Sequence, residues 1–366
     1  MHCDYYHGGT CRSCTLLPVP YQQQLRRKQD QVAAQLPSLP WEPAVPSAES
    51  GFRNKAKMVA AGSVQAPTLG ILDHAGSGID LVNCPLHEPA ILAALPVLRD
   101  FITVATLTPY SVPERRGELK AVLVTGTPDG SLMIRFVLRS SEALPRLRKH
   151  LPALQAALPN AHVISANVQP VHAAVLEGET EVALTPQQHL QLPVNGIELH
   201  LLPGSFFQTN TAVAAALYRT AANWADEDAR TVLDLYCGVG AFALHLVRPG
   251  RQVRGVEISA AAVAAAQAGA AQMGAPARFE VADATQHHLD RDIDLVVVNP
   301  PRRGLTGLAA QLEASTARSV LYSSCNPRTL AQDLAAMPAL VAERAQLFDM
   351  FPHNQHAEVL VLLRRR

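Results

Sequence analysis

The chain has 366 residues, of which 48% are hydrophobic and 17% charged, and its 31 Lys+Arg balance 31 Asp+Glu. That length and composition describe a globular protein of about two domains with substantial cores, and exclude a disordered chain. No apolar run reaches the roughly 18 residues of a membrane span, so no membrane partner is expected. The stretch "MHCDYYHGGTCRSC" lacks the apolar core and cleavage site of a secretion signal. The expected location is the cytoplasm, where thiols stay reduced. The neutral total conceals an asymmetry: residues 1–150 hold 16 Lys+Arg against 12 Asp+Glu. Basic clusters fall at Arg26-Arg27-Lys28, at Arg53, Lys55 and Lys57, at Arg115-Arg116 with Lys120, and at Arg146, Arg148 and Lys149. Phosphate contacts need local cations rather than a basic total, so an RNA partner stays open.

In chain order, residues 1–90 read as irregular, rich in Pro and Gly, and hold four of the six cysteines: Cys3, Cys11, Cys14 and Cys84. Four thiolates suit a 4Fe–4S cluster or a structural zinc, and the spacing does not choose between them. Over 91–195, short β-rich runs ("KAVLVTG", "SLMIRFVLR", "HVISANVQP") flank one helical stretch, "ALPRLRKHLPALQAAL". They predict an α+β module with a mostly antiparallel sheet. Residues 196–366 change character, with the boundary between 185 and 212. A helix, "TAVAAALYRTAANWA", precedes five apolar runs that alternate with helical segments: "TVLDLYCGVG", "QVRGVEIS", "ARFEVADA", "IDLVVVNPP" and "SVLYSSCN". This alternation predicts a doubly wound, Rossmann-like parallel sheet with helices on both faces, so the whole chain is α/β.

The run "TVLDLYCGVGAFAL" is a strand, a glycine turn and a helix, in which Gly238 and Gly240 let the backbone approach a ligand. Glu257 ends the next strand, placed to accept hydrogen bonds from the ribose hydroxyls of a bound nucleoside. An acid before the glycines and the lack of a third glycine favour S-adenosylmethionine over NAD. "VVVNPPRRG" ends the fourth strand at the same crevice, and its rigid Asn-Pro-Pro turn suits Asn299 to holding a substrate. Cys325 follows the fifth strand between Ser323-Ser324 and Asn326-Pro327, polar flanks that favour an exposed nucleophile over a packed thiol.

A thiol beside a methyl donor suggests one chemistry. A thiolate that adds to carbon 6 of a pyrimidine makes carbon 5 nucleophilic enough to attack a methyl sulfonium. A base must then take the carbon 5 proton. Candidates lie in "LFDMFPHNQHAEVLVLL": Asp349, His353, His356 and Glu358. Glu358 directly precedes an apolar strand able to pair beside the fifth strand and aim its carboxylate at Cys325.

These motifs, D-x-Y-C-G-x-G, N-P-P-R, S-C-N-P and the C-terminal "FPHNQHAE", occur here in the order found in the RNA uracil-5-methyltransferase family. The chain resembles that family over essentially its whole length, including "FRNKAKM", "RGELK", "RFVLRS" and "SFFQTN". It is most similar to the short bacterial 23S ribosomal RNA enzymes that carry an iron–sulfur cluster and lack a TRAM domain. The resemblance implies Cys325 as nucleophile, Glu358 as base, and Gln208, Tyr236, Glu257 and Asn299 as S-adenosylmethionine contacts. It also shifts the reading of Cys3, Cys11, Cys14 and Cys84 from zinc to a 4Fe–4S cluster, with Cys237 packing in the glycine turn. The implied substrate is a uridine in a loop of 23S ribosomal RNA, flipped into the pocket, with no obligate protein partner. The chain departs from the family where many members have Asp and Asn299 stands here. An amino-group methyltransferase, which also uses Asn-Pro-Pro, is the alternative enzyme. It usually carries an aromatic residue where Arg302 stands, and it has no need of Cys325.

Overall fold

The structure is a computed structural model and describes all residues of the chain except 174 and 291. It divides into two compact units, neither continuous in sequence. One comprises Met1–Cys14, Glu49–Gln191 and Leu202–Gly204, the other Thr15–Ala48, Leu192–Leu201 and Ser205–Arg366. The three consecutive segments read from the sequence are therefore not the packing units. Residues 15–48 cross to the C-terminal unit, and residues 55–80 join the central module. Both shifts come from non-local pairing, which local composition does not carry.

The first unit begins with a short helix, α1 (Asp4–His7), while α2 (Tyr21–Gln35) belongs to the second. Strands β1 (Lys55–Gly62), β2 (Pro67–Leu72) and β3 (Gly78–Asp80) precede helix α3 (Pro89–Val104). There follow β4 (Leu119–Gly126), β5 (Leu132–Leu138), α4 (Leu144–Ala157), β6 (Ala161–Val168) and β7 (Thr180–Ala183). The seven strands make one sheet in the order β3-β2-β1-β4-β5-β6-β7, antiparallel except for β5–β6, where α4 supplies the crossover. Alternation sorts its faces. Ala56, Met58, Val122, Val124, Ile134 and Phe136 form a core with Leu95, Leu98 and Ile102 of α3 and Leu147 and Leu154 of α4. The opposite face carries Lys57, Leu123 and Arg135 in register. Much of 1–90, irregular by composition, is therefore regular in the fold. The runs of β1–β3 are short and broken by glycine, and they become strands because β1 pairs with β4.

In the second unit a hairpin, β8 (Leu190–Val194) and β9 (Ile197–Leu201), leads to α5 (Thr211–Trp224). Strand and helix then alternate: β10 (Thr231–Leu235), α6 (Ala241–His245), β11 (Gln252–Glu257), α7 (Ala260–Met273), β12 (Ala277–Val281) and β13 (Leu295–Val298). The chain closes with α8 (Leu308–Ala314), β14 (Ser319–Ser324), α9 (Pro327–Ala335), β15 (Leu340–Phe348) and β16 (Glu358–Arg365). The sheet order is β12-β11-β10-β13-β14-β16-β15, with the first five strands parallel and β16 antiparallel to both neighbours. Order reverses on either side of β10, which opens a crevice at the carboxyl ends of β10, β11 and β13. β13 and β14 are buried along their whole length, as strands covered on both faces must be. Among the described residues no helix is long and apolar enough to cross a membrane.

Candidate active site

The crevice begins where β10 ends. Tyr236, at φ 61°, turns the chain, Cys237 donates its N–H to the carbonyl of Val256 (3.1 Å), and Gly240 (φ 81°) caps α6. A Cβ on Gly240 would lie 3.0 Å from Phe279 and 3.1 Å from Ala266, so only glycine fits there without displacing the helix behind it. Gly238 has the opposite surroundings, with nothing within 4 Å on its Cβ side, an open edge facing the crevice. The N–H of Gly238 donates to one Glu257 oxygen (3.2 Å) and that of Ser259 to the other (3.0 Å), which aims the carboxylate while leaving acceptor capacity on both oxygens. Ile258, next to it, is 70% exposed, an uncovered apolar residue at the crevice edge. Asp234 is fully buried: Ala243 N–H donates to one oxygen (2.9 Å), and the other has no partner among the described residues. Burial pushes this carboxyl up to about 8. Cys237 is buried, with its sulfur 2.9 Å from where a Cβ on Gly255 would stand, a packing thiol. Gln208 is buried in the segment before α5, and Asn299 is half-buried just beyond β13.

Two loops are stitched together at the next strand ends. Asn326 caps α9, its side-chain oxygen accepting from Arg328 N–H (3.2 Å), and Pro327 occupies the first helical turn. The amide nitrogen of Asn326 donates to the Arg302 carbonyl (2.9 Å), as does the Thr329 hydroxyl (3.3 Å). Asp333 on α9 accepts from Tyr322 Oη (2.5 Å) and from Leu305 N–H (2.9 Å), and a Cβ on Gly304 would strike it at 2.5 Å. These bonds carry the 299–305 loop to the end of β14, where the Arg302 guanidinium hydrogen-bonds Cys325. Asn326→Ala should therefore cost about 1 kcal/mol of stability through the lost cap and loosen Arg302 as well. Urea unfolding and methyl-transfer rates measured together check this, and a loss in stability without a loss in rate would separate cap from site.

Glu358 reaches the same place through β16. The antiparallel register pairs Ser324 with Val359, so the next step sets Cys325 opposite Glu358. Glu358 is 2% exposed and accepts from the Ser323 hydroxyl, and burial lifts its carboxyl to about 7. Cys325 is half-buried. Burial raises its thiol first and the Glu358 charge second, while Arg302 opposes both. Of the other base candidates, Asp349 and His353 are taken up elsewhere. Asp349 holds the buried Lys28 Nζ (2.6 Å) and the Tyr21 hydroxyl (2.9 Å). His353 donates its N–H to Gln24 Oε1 (3.0 Å). His356 is exposed. Lys28 therefore leaves the surface basic cluster assigned to it and becomes an internal ion pair.

Sequence reasoning missed Arg302 as a thiol partner, Ser323, Asp333 and the Lys28–Asp349 pair. Only the "SSC" and "NPPRR" strings hinted at the first two.

In the first unit, Cys3 is buried and Cys11, Cys14 and Cys84 half-buried, all as free thiols. Cys14 is pushed up to about 11 by burial and then by the charges of Cys84, Cys11 and Cys3. Among the described residues no three His, Cys, Asp or Glu side chains are grouped closely enough to hold a metal ion.

The family described as "Methyltransferase small domain" matches residues 196–340. A solved structure, the Pyrococcus abyssi tRNA (uracil-54, C5)-methyltransferase in complex with S-adenosyl-L-homocysteine, superposes with a TM-score of 0.81 over 96% of this chain and 85% of that one, at 24% identity. Fold and crevice define an S-adenosylmethionine-dependent methyltransferase of the α/β class. A protein of Halothiobacillus neapolitanus, named 23S rRNA (uracil(747)-C(5))-methyltransferase RlmC, is 50% identical with both chains fully covered. Proteins of the same name from Pectobacterium carotovorum and Yersinia pestis are 48% identical, again over all of both chains. The chain belongs to the 23S ribosomal RNA uracil-C5-methyltransferase family.

Proposed function

We propose that this protein methylates carbon 5 of a uridine in 23S ribosomal RNA, the position its relatives are named for (747), through a covalent adduct on Cys325. The observation that carries this reading is the meeting of Cys325, Arg302 and Glu358 at the ends of β13, β14 and β16. S-adenosylmethionine, when bound, supplies the electrophilic methyl group. Glu257 takes the ribose hydroxyls, Ile258 lies against the adenine, and Gly238, Gly240, Tyr236, Gln208 and Asn299 complete the pocket. The open face at Gly238 and the uncovered Ile258 side chain fit that ligand. Asn299 carries no charge, so its part is hydrogen bonding.

The sulfur of Cys325 bonds to carbon 6 of a uracil flipped into the crevice, and the displaced π electrons make carbon 5 the nucleophile for the methyl. Glu358 then removes the proton from carbon 5. The C–H electron pair re-forms the 5,6 double bond and expels the Cys325 thiolate, with Arg302 stabilising the thiolate at both ends of the cycle. With its carboxyl near 7, Glu358 is about half protonated at neutral pH, which spares the attacking thiolate a like charge. Its ionised form resolves the adduct, so single-turnover release should accelerate as pH rises through about 7. A release rate flat from pH 6 to 8 would remove Glu358 from that role. Labelled methyl transfer to undermodified ribosomal RNA, followed by mapping of the modified nucleotide, tests the reading as a whole.

The raised Glu358 carboxyl also predicts a stability effect. A buried acid at about 7 against 4.5 when unfolded is neutral below pH 4.5 and loses stabilisation as pH climbs to 7. Glu358→Gln should be more stable than the parent by up to roughly 3 kcal/mol at pH 8, with no gain at pH 4. Urea midpoints at both pH values check it.

Cys3, Cys11, Cys14 and Cys84 hold a 4Fe–4S cluster that staples residues 1–14 to the rest of the first unit. Cys14 feels the charges of Cys84, Cys11 and Cys3, so the four thiols share one neighbourhood, and four thiolates are the donor set such a cluster takes. The first unit, with Lys57, Arg115 and Arg116 exposed, grips flanking phosphates.

A further inference from the structure

Two buried polar atoms beside the cysteines have no role in methyl transfer. Arg53 and His87 sit on neighbouring extended segments joined by a parallel bridge. Arg53 N–H donates to the Leu86 carbonyl (2.8 Å), and Glu88 N–H donates to the Arg53 carbonyl (3.0 Å). The same turn carries Cys84, whose carbonyl accepts from His87 N–H (3.2 Å). Arg53 Nε and His87 Nδ1 are both enclosed by protein and have no hydrogen-bond partner among the described residues. Each such group costs about 1–3 kcal/mol unless something satisfies it, so a pair of them in one place calls for an acceptor. Cys84 lies three residues before His87, and its carbonyl is already bonded to the His87 N–H. The Arg53 charge acts on both Cys14 and Cys84, favouring their thiolates against the effect of burial. Arg53 also departs from the surface phosphate-gripping role its basic cluster suggested, since it is half-buried and its charge is felt by Cys84.

We propose that Arg53 Nε and His87 Nδ1 donate hydrogen bonds to the sulfur atoms of the four-iron cluster held by Cys3, Cys11, Cys14 and Cys84. The inference rests on the cluster reading above and adds to it a pair of residues that sets the cluster's electronic state. A 4Fe–4S centre on four thiolates is already anionic, and one further electron adds another negative charge. Donors and a guanidinium at its edge favour that reduced form and raise the reduction potential. His87 must then carry its ring proton on Nδ1, which ties its tautomer to the cluster.

The test uses the full chain purified without oxygen, with Arg53→Met, Arg53→Lys and His87→Phe variants. Iron and acid-labile sulfide are counted, and each protein is titrated with dithionite and followed by electron paramagnetic resonance. The parent should hold about four irons per chain. At the parent's midpoint, Arg53→Met should shift the reduced-to-oxidised ratio about tenfold toward oxidised, which is 59 mV for one electron. Arg53→Lys should recover part of that shift, and His87→Phe should move the ratio the same way by less. Cluster colour in air should also fade several-fold faster in Arg53→Met. Arg53→Met and His87→Phe proteins with parental iron, ratio and fading rate would overturn the donor role and leave the cluster standing. If Arg53→Met sheds its iron, Arg53→Lys and His87→Phe decide by the same ratio. An iron-free parent, seen before any variant is made, would overturn the cluster reading and this inference with it.

Discussion

Cys325→Ala should lower methyl transfer by at least about four orders of magnitude while leaving S-adenosylmethionine binding unchanged, because on the proposed route the alanine protein lacks the thiolate that activates carbon 5. The glycine turn, Glu257 and Ile258 lie at the carboxyl ends of β10 and β11, so truncating a side chain beyond β14 does not disturb them. Glu358→Gln has a different signature. The thiolate still adds and the methyl still transfers, but the carbon 5 proton stays. A protein–RNA species that survives denaturation should therefore accumulate on gels, stoichiometric with enzyme. Equilibrium dialysis with S-adenosylmethionine and a denaturing gel with labelled RNA read the two variants side by side. Activity retained in the alanine protein would end the covalent route. Normal turnover by the glutamine protein would end only the choice of base.

Lys28→Ala should destabilise the second unit by about 3–5 kcal/mol, the cost of stranding a buried carboxylate. Lys28 and Asp349 are 1% and 0% exposed, with Nζ donating to Asp349 (2.6 Å) and to the Phe351 carbonyl (2.8 Å). Tyr21 completes the Asp349 shell and in turn accepts from Ser47 N–H (2.7 Å). This network fastens α2 to the segment between β15 and β16, the stretch that delivers Glu358. The chain's two tryptophans, Trp41 and Trp224, both belong to this unit, so fluorescence-monitored urea unfolding reads it directly. Lys28→Met combined with Asp349→Leu should recover most of the loss, because removing both charges also removes their desolvation penalty. A double variant as unstable as Lys28→Ala would show that packing, rather than the stranded charge, sets the cost.

The β10–β14 strands and their helices are local objects. An apolar run such as "LVVV" between turn residues, or a capped alanine-rich segment such as Ser259 to Gly274, forms the same element wherever it packs. Their parallel order, the crevice and the glycine turn were accordingly legible in advance, as was the apolar strand following Glu358. Asparagine before proline announced α9 for the same reason. The N-terminal 90 residues were not legible, because β1–β3 are short and weakly patterned, and β1, on which β2 and then β3 pair, is fixed by pairing with β4 more than fifty residues away in sequence.

Taken by itself, the sequence determined the methyltransferase half, the kinds of side chain at its crevice and the six thiols, since each follows from residue type and near-neighbour spacing. Only the tertiary structure decided that Arg302 meets Cys325, that Lys28 lies inside rather than outside, and that Arg53 Nε and His87 Nδ1 end enclosed near Cys84. Those outcomes depend on which strand pairs with which, and on whether a charge finds a partner as water is excluded. Both are properties of the assembled fold rather than of any stretch of chain.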